Sequence, residues 1–361
     1  LYSFIAGGAE DEVSLALNRN AFADYAFVPR VLSRISERSQ STTLFGKSYA
    51  VPFGIPPMGI GSLFAYRNDI LLAEAAGALN LPFVLSASSL IPMETVKQSG
   101  PTAWYQAYLP GEGDRIDALV DRVAAAGFDT FVLTVDVPVS ANRENNERNG
   151  FTTPLRPSLK LVWDGATHPR WLIGTALRTL INHGMPHFEN TDATRGPPIL
   201  SRDLARASGL RDQLGWEHLE RIRKRWPGKL LVKGVLAGED ARMAREKGVD
   251  GVIVSNHGGR QLDGTIAPLQ ALPDVVDAAG DMTVMLDGGI RRGSDILKAL
   301  ALGASFVFVG RPFLFASVVG GAPAVRHAAD LLTKEIDRDM ALLGIRALDE
   351  LRPEHVRRIN G

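Results

Sequence analysis

The stretch DGVIVSNHGGRQLD, residues 250–263, holds the reading on which the fold turns. Its first half is apolar on successive residues instead of alternate ones, which fits a strand covered on both faces, as in a parallel sheet flanked by helices. Its second half gathers Ser255, Asn256, His257 and Arg260 around two glycines, so polar chemistry begins where the apolar run stops. Seven more short runs rich in Val, Ile, Leu and Phe accompany it, at 51–60, 81–86, 103–108, 130–136, 230–234, 282–287 and 305–310. Segments with apolar residues at three-to-four spacing lie between them, for example at 115–126, 216–226, 238–247 and 294–302, and a further one covers 323–343. Eight such units predict an α/β fold, a closed (β/α)8 TIM barrel formed by residues 1–361 as one domain.

The spacing is uneven in one place. About ninety residues separate Asp136 from Lys233, where a barrel unit needs roughly thirty. This predicts a long insertion after strand 4, at about 155–209. Within it, 161–190 interleaves Trp163, Trp171, Leu172, Ile173, Leu177, Leu180 and Ile181 with His168, Arg170, Arg178 and His183. Short apolar runs mixed with basic residues have the composition of an interfacial segment, so this part is expected to dock peripherally on a membrane. The competing reading is a contact between barrels or a cover over the active-site mouth. The Gly/Pro-rich remainder, 191–209, predicts a mobile loop.

Composition narrows the function classes. Forty basic residues balance forty acidic ones, so no global field draws the chain to nucleic acid. With no cysteine there is no disulfide, thiolate nucleophile or Cys-based metal site. HExxH, GxSxG and GxGxxG do not occur, and the one GKS, at 46–48, has Ser41 where a P-loop needs its first glycine, which leaves zinc peptidase, P-loop and serine hydrolase readings without support. The seven histidines are dispersed and predict no metal site. No apolar stretch reaches eighteen residues and the opening LYSFIAGGAEDE has no leader pattern. A cytoplasmic protein is expected, peripheral on the cytoplasmic face of the inner membrane if the insertion docks.

In a barrel of this kind chemistry sits at the carboxyl ends of the strands. There the sequence places Ser86, Gln106, Tyr108, Thr134 and Asp136, with Arg143 beyond, then Lys233, Ser255, His257, Arg260, Asp287, Gly310 and Arg311. Lys233 in LLVKGV or Asp136 in VLTVDV alone would read as a structural ion pair. Charged residues on five strands converging on one rim read as a site. DGGIRRG at 287–293 and VGRP at 309–312 follow strands 7 and 8, where barrels commonly bind phosphate. Gly289 lets backbone amides approach an anion, and Arg291 and Arg311 can fork onto it; Arg292 reads as a surface charge. His257 can accept a proton, Asp136 can orient it, and Arg260 can bind a carboxylate with two parallel hydrogen bonds.

The segments SNHGGRQLD, LDGGIRRGSDILKALALGA, VGRP, LTVDVP and GGAEDE together resemble the FMN-dependent 2-hydroxy acid dehydrogenase and oxidase family. The insertion, with HPRW at 168–171 and HGMP at 183–186, is closer to the mandelate-oxidising than to the glycolate-oxidising branch. The resemblance implies FMN as cofactor and oxidation of a small 2-hydroxy acid to the 2-keto acid. His257 would be the base, hydrogen-bonded to Asp136. Arg260 and Arg143 would clamp the carboxylate, and Tyr108 would contact substrate. Lys233 would sit at the N1–C2 edge of the flavin. Pro57, Met58, Gly59, Ser86, Gln106 and Thr134 would hold the ring, with Ser255 close by, and Asp287, Gly289, Arg291, Gly310 and Arg311 the ribityl phosphate.

Two departures bear on the substrate. The family often has a substrate-binding Tyr where this chain has Phe4, and glycolate oxidases have a bulky Trp where it has Ser88. Both favour an aryl or branched acid, (S)-mandelate or similar. The resemblance leaves a quinone or O2 as electron acceptor, the latter making H2O2 in a soluble oxidase, and it implies a homotetramer. Outside the family, an FMN-dependent isomerase or a non-catalytic flavin carrier remains as an alternative; paired carboxylate-binding arginines beside a His–Asp pair disfavour both.

Overall fold

The computed structural model describes residues 1–151, 155–156, 158–201 and 210–359. All eight apolar runs contain strands: β1 (Phe53–Gly54), β2 (Phe83–Ser86), β3 (Ala103–Ala107), β4 (Thr130–Thr134), β5 (Lys229–Val235), β6 (Gly251–Val254), β7 (Thr283–Asp287) and β8 (Phe306–Phe308). They form one parallel sheet in the order β1-β8-β7-β6-β5-β4-β3-β2. Its two ends meet where Ile55 bridges Phe83 and Val84 N donates to Ile55 O at 2.9 Å. The architecture is the expected (β/α)8 barrel.

The run at 51–60 contributes much less strand than its length predicts. Pro56 and Pro57 carry no N–H and cannot pair, so the chain leaves the sheet there and crosses the barrel mouth as far as Ile60. The helices fall as the spacing predicts, at Gly113–Ala125, Trp216–Arg225, Gly238–Glu246 and Gly293–Ala301. After β8 the segment Arg311–Leu343 is helical on both sides of a break at Gly320 and Gly321. The helix expected at 323–343 is therefore the second of two, and the first springs directly from the barrel rim.

Three apolar layers hold this frame. Val84, Trp104, Val132, Leu231, Ile253, Met285, Phe306 and Phe308 fill the barrel, capped at its amino end by Leu44 and Tyr49 of the hairpin Thr42–Leu44 and Lys47–Tyr49. A larger layer, including Leu72, Val120, Ile222, Leu272 and Leu297, seals strands to helices. Each such fully buried side chain contributes about 1.5–3 kcal/mol. The third layer, Ile5, Ile60, Phe64, Leu90, Phe151, Phe188, Ile199 and Leu314, roofs the carboxyl end.

The insertion divides by burial. Helical turns at Leu159–Thr167, Pro169–Trp171, Leu172–Leu177 and Arg178–His183 leave Leu159, Val162, Trp163, Ile173, Leu180 and Ile181 exposed. Trp171 Nε1 donates to Leu63 O at 2.7 Å, and Arg178 stacks 4.0 Å from the Tyr66 ring, so this element sits on the loop that follows β1. Phe188, Glu189 and Asn190 do something else: they are buried, with Asn190 Oδ1 accepting from Met93 N. Of the stretch expected to be a mobile loop, 191–201 is tied down through the Arg115–Asp192 ion pair, the Arg122–Asp192 O bond and buried Ile199; 202–209 lie outside the described residues. No helix among the described residues is long and apolar enough to cross a membrane.

Candidate active site

The carboxyl mouth of the barrel holds a cavity of about 460 Å3. Its wall runs from Phe4 and the Pro56–Ile60 crossing, past Ser88, Tyr108, Arg143 and Lys233, to His257, Arg260, Asp287, Arg291, Gly310 and Arg311. Residues from every part of the sequence reach it because parallel strands all end on the same rim.

At its centre His257 Nδ1 lies 3.0 Å from Asp136 Oδ1, while Nε2 lies 3.3 Å from Tyr108 Oη. The carboxylate accepts from Nδ1, which leaves Nε2 as the acceptor. Burial depresses the His257 pKa, and Asp136 only partly restores it, so the ring is neutral at neutral pH. Burial pushes Asp136 up, but His257 and Lys233 outweigh it and hold the carboxyl below its ordinary range. Burial also raises the Tyr108 phenol, which stays protonated. His257 has a left-handed backbone, φ 60°, a conformation that costs a β-substituted residue energy. Ser255 Oγ accepts from its N–H at 3.0 Å and fixes that turn.

Lys233 is buried between Asp287 Oδ2 at 3.1 Å and Ser255 Oγ at 2.7 Å. Burial lowers its proton affinity, but Asp287 and Asp136 more than compensate, so it is a cation inside the barrel. Ser86 Oγ donates to Gln106 Oε1 at 3.1 Å and accepts from Ser88 N. Gln106 Nε2, Thr134 Oγ1 and Asp287 Oδ1 are buried without a hydrogen-bond partner, the pattern of groups whose partner is a ligand.

The remaining arginines make the mouth strongly cationic. Arg260 Nη1 donates to Phe4 O and Gly7 O while its guanidinium packs 4.7 Å from the Phe4 ring. Arg143 donates to Arg260 O and Gln261 Oε1. Arg311 donates to Ile5 O, Gly7 O and Gly258 O. Burial, followed by the neighbouring Arg143 and Arg311, pulls Arg260 well below its ordinary pKa, and Arg291 falls to about 10 for the same kinds of reason. Cations that depress one another in this way are stabilised by bound anions. Phe4 stacks with Phe64 at a ring separation of 5.7 Å and meets Phe151 edge-to-face at 5.0 Å, giving the cavity an aromatic wall.

Two helix starts follow β7 and β8, and they differ. At Gly293–Ala301 the first amides are occupied, Arg291 N and Arg292 N by Asp295 and Gly293 N by Glu335. At Arg311 the cap is Gly310 with no side-chain cap bond, and this end faces the cavity beside Gly289 and Arg291. Arg292 is on the surface, paired with Glu335.

Some working parts were not read from the sequence. Asp263 accepts from Val13 N and Ser14 N, and the amides of Asn18 and Asn256 pair, so the helix Val13–Asn20 clamps the SNHGGRQLD loop. The Asp in that motif was the available signal, since acidic residues favour helix starts. Arg211, beyond the insertion, also lines the cavity; nothing local distinguishes it from other surface arginines.

The chain belongs to the FMN-dependent dehydrogenases: the family model matches residues 1–358. It is a flavoprotein oxidoreductase acting on the CH–OH group of 2-hydroxy acids, with FMN as cofactor. The unpartnered Gln106, Thr134 and Asp287 atoms and the free helix start at Arg311 fit such a group. Among its relatives, the chain is 38% identical to a putative L-lactate dehydrogenase of Mycobacterium tuberculosis, covering 98% of this chain and 84% of that one. It is 37% identical to the (S)-mandelate dehydrogenase of Pseudomonas putida, covering 99% and 89%. A crystal structure of the monotopic membrane protein (S)-mandelate dehydrogenase superposes with a TM-score of 0.91 at 36% identity, covering 99% and 94%.

Proposed function

We propose that the protein oxidises an aryl 2-hydroxy acid, (S)-mandelate or a close analogue, to the 2-keto acid and passes the electrons to a membrane quinone. The observation that carries this is a neutral, Asp-oriented His257 whose Nε2 is an acceptor beside Tyr108, at a cavity lined both by arginines and by the Phe4, Phe64 and Phe151 rings. Arg260 Nη2 and Arg143 Nη1 keep donors for the substrate carboxylate. That holds the Cα–H near His257 and places the side chain against Phe4 and Phe151. His257 Nε2 takes the proton lost from the substrate, and Asp136 stabilises the resulting imidazolium. Tyr108 donates its phenol proton toward the same centre and steadies the substrate oxygen. Converting CH–OH to C=O releases two protons and two electrons: with the Cα proton on His257, FMN, when bound, would take up the two electrons and the hydroxyl proton.

In this assignment Pro57, Met58, Gly59, Ser86, Gln106 and Thr134 contact the flavin ring. A Cβ at Gly59 would lie 2.8 Å from Ser88 Cβ, so that crossing is already at closest approach. Lys233 brings positive charge to the ring edge, and Gly289, Arg291, Gly310 and Arg311 hold the phosphate. The exposed apolar face of the insertion, with Lys160, Arg170 and Arg178 on the same element, supports docking on a membrane and hence a quinone acceptor.

A second reading, oxidation of lactate, is favoured by the names of several relatives. Anaerobic addition of (S)-mandelate, (S)-lactate and glycolate to the yellow protein separates the two. Bleaching of the flavin band should be most efficient with mandelate; a clear preference for glycolate or lactate overturns the aryl assignment. Reoxidation faster with O2 than with a quinone analogue would favour an oxidase.

A further inference from the structure

Five arginines line the mouth cavity, and four of them have donors committed to named acceptors. Arg143 donates to Arg260 O and Gln261 Oε1, Arg260 to Phe4 O and Gly7 O, Arg291 to Ile290 O, and Arg311 to Ile5 O, Gly7 O and Gly258 O. Arg211 differs. It makes no hydrogen bond and no ion pair with any described residue, and its guanidinium carbon rests 4.9 Å from the centre of the Tyr108 ring. It is half-buried. Burial pulls its proton affinity down, and among the described residues no carboxylate restores it.

The turn that carries it is fixed. Gly111 N donates to Leu210 O at 2.8 Å, and a Cβ at Gly111 would lie 2.6 Å from Gln213 Cβ, so the single turn Arg211–Gln213 is pressed onto the loop after β3. The side chain is therefore presented to the cavity from a defined place. A guanidinium withdrawn from water without an acid is costly, and it is stabilised when a ligand supplies the anion.

Tyr108 separates this cation from the reacting centre: Arg211 lies on its ring, whereas its hydroxyl reaches His257 Nε2 at 3.3 Å. The reacting carboxylate already has the spare donors of Arg260 and Arg143. We infer that Arg211 recognises a second anionic group carried at the far end of the substrate's side chain, so that the preferred substrates are 2-hydroxy acids with a distal carboxylate. This rests on the 2-hydroxy acid reading above and narrows it.

The test uses the flavin-loaded protein and two matched pairs, mandelate with 4-carboxymandelate and 2-hydroxypentanoate with 2-hydroxyglutarate. For each acid kcat/KM is measured in the parent, Arg211→Met and Arg211→Lys, with the visible flavin spectrum reporting that each variant is folded. The parent should prefer the carboxylate-bearing member of at least one pair by roughly tenfold, the scale of one charge-assisted fork. That preference should fall to about one in Arg211→Met and be partly kept in Arg211→Lys. No preference in the parent overturns the inference. So does an equal loss on both members of a pair, which would make Arg211 a residue that only positions Tyr108. If none of the four acids bleaches the flavin, the hydroxy-acid reading itself falls, and this inference with it.

Discussion

Gly234 makes the space in which Asp136 reaches His257. At φ 107° on the bulge of β5, a Cβ at position 234 would lie 2.7 Å from Asp136 Cβ and 2.8 Å from its Cγ. The glycine after Lys233 thus serves the residue that orients the base, not the lysine beside it. Gly234→Ala should cost about 1–3 kcal/mol of stability through backbone strain. It should also lower kcat/KM about a hundredfold by displacing Asp136. Flavin content and thermal melting, measured beside turnover, check this; full activity in a folded variant would show that Asp136 tolerates the shift.

His257→Gln is expected to keep FMN while slowing flavin reduction by at least about 10²–10⁴-fold, the usual contribution of a general base. In the parent, burial holds the His257 pKa below its ordinary value, so kcat/KM should rise with pH along a limb centred below that value. In Asp136→Asn the carboxylate that draws the proton back is gone, and the limb should move further toward acid. Stopped-flow reduction across pH 4–9 reads both effects. A limb that moves to higher pH in Asp136→Asn contradicts the assignment.

Arg260→Met should raise the substrate KM and also slow reduction, because a carboxylate fork binds and aligns at once. Arg260→Lys should recover part of the loss, since a point charge replaces a fork. An unchanged KM in Arg260→Met would leave Arg143 as the carboxylate ligand.

Asp69 lies in the first turn of the helix Asn68–Ala78, is 2% exposed, and accepts from Ser62 Oγ at 3.3 Å. Burial pushes its pKa up to about 6. For an acid raised in this way the charged form is the disfavoured one, so the penalty is absent below the ordinary carboxyl range and complete above about pH 6. Asp69→Asn should therefore stabilise the protein at pH 8 by up to about 3 kcal/mol, with little gain near pH 4. Melting temperatures at the two pH values provide the comparison, and a gain that does not depend on pH rules the explanation out.

The insertion helices expose Leu159 at 90%, Ile181 at 80% and Trp163 at 70%. The protein should sediment with anionic lipid vesicles at low salt, less so as salt rises. Replacing residues 159–185 by a short polar loop should abolish this while substrate still bleaches the flavin. Loss of the oligomeric state with unchanged sedimentation would assign the same face to a subunit contact.

The sequence by itself determined the barrel and its chemistry. Continuous apolar runs record two-sided burial, so eight of them specify eight covered parallel strands, and the residues that end them must face one rim. That is why Lys233, Asp136, His257 and the arginines could be singled out before any contact was known. Proline limited the first strand, which the run at 51–60 alone overstated, because periodicity reports burial and not hydrogen bonding. Only the tertiary structure decided which rim groups meet. His257 and Asp136 are 121 positions apart, and the bulge at Gly234 matters only once both are in place. The separation of Phe188–Asn190 from the exposed helices and the unpartnered state of Arg211 depend on the three-dimensional surroundings of residues whose local sequence is unremarkable. Burial leaves a periodic trace along the chain, whereas pairing energies depend on distances between segments that the chain does not encode locally.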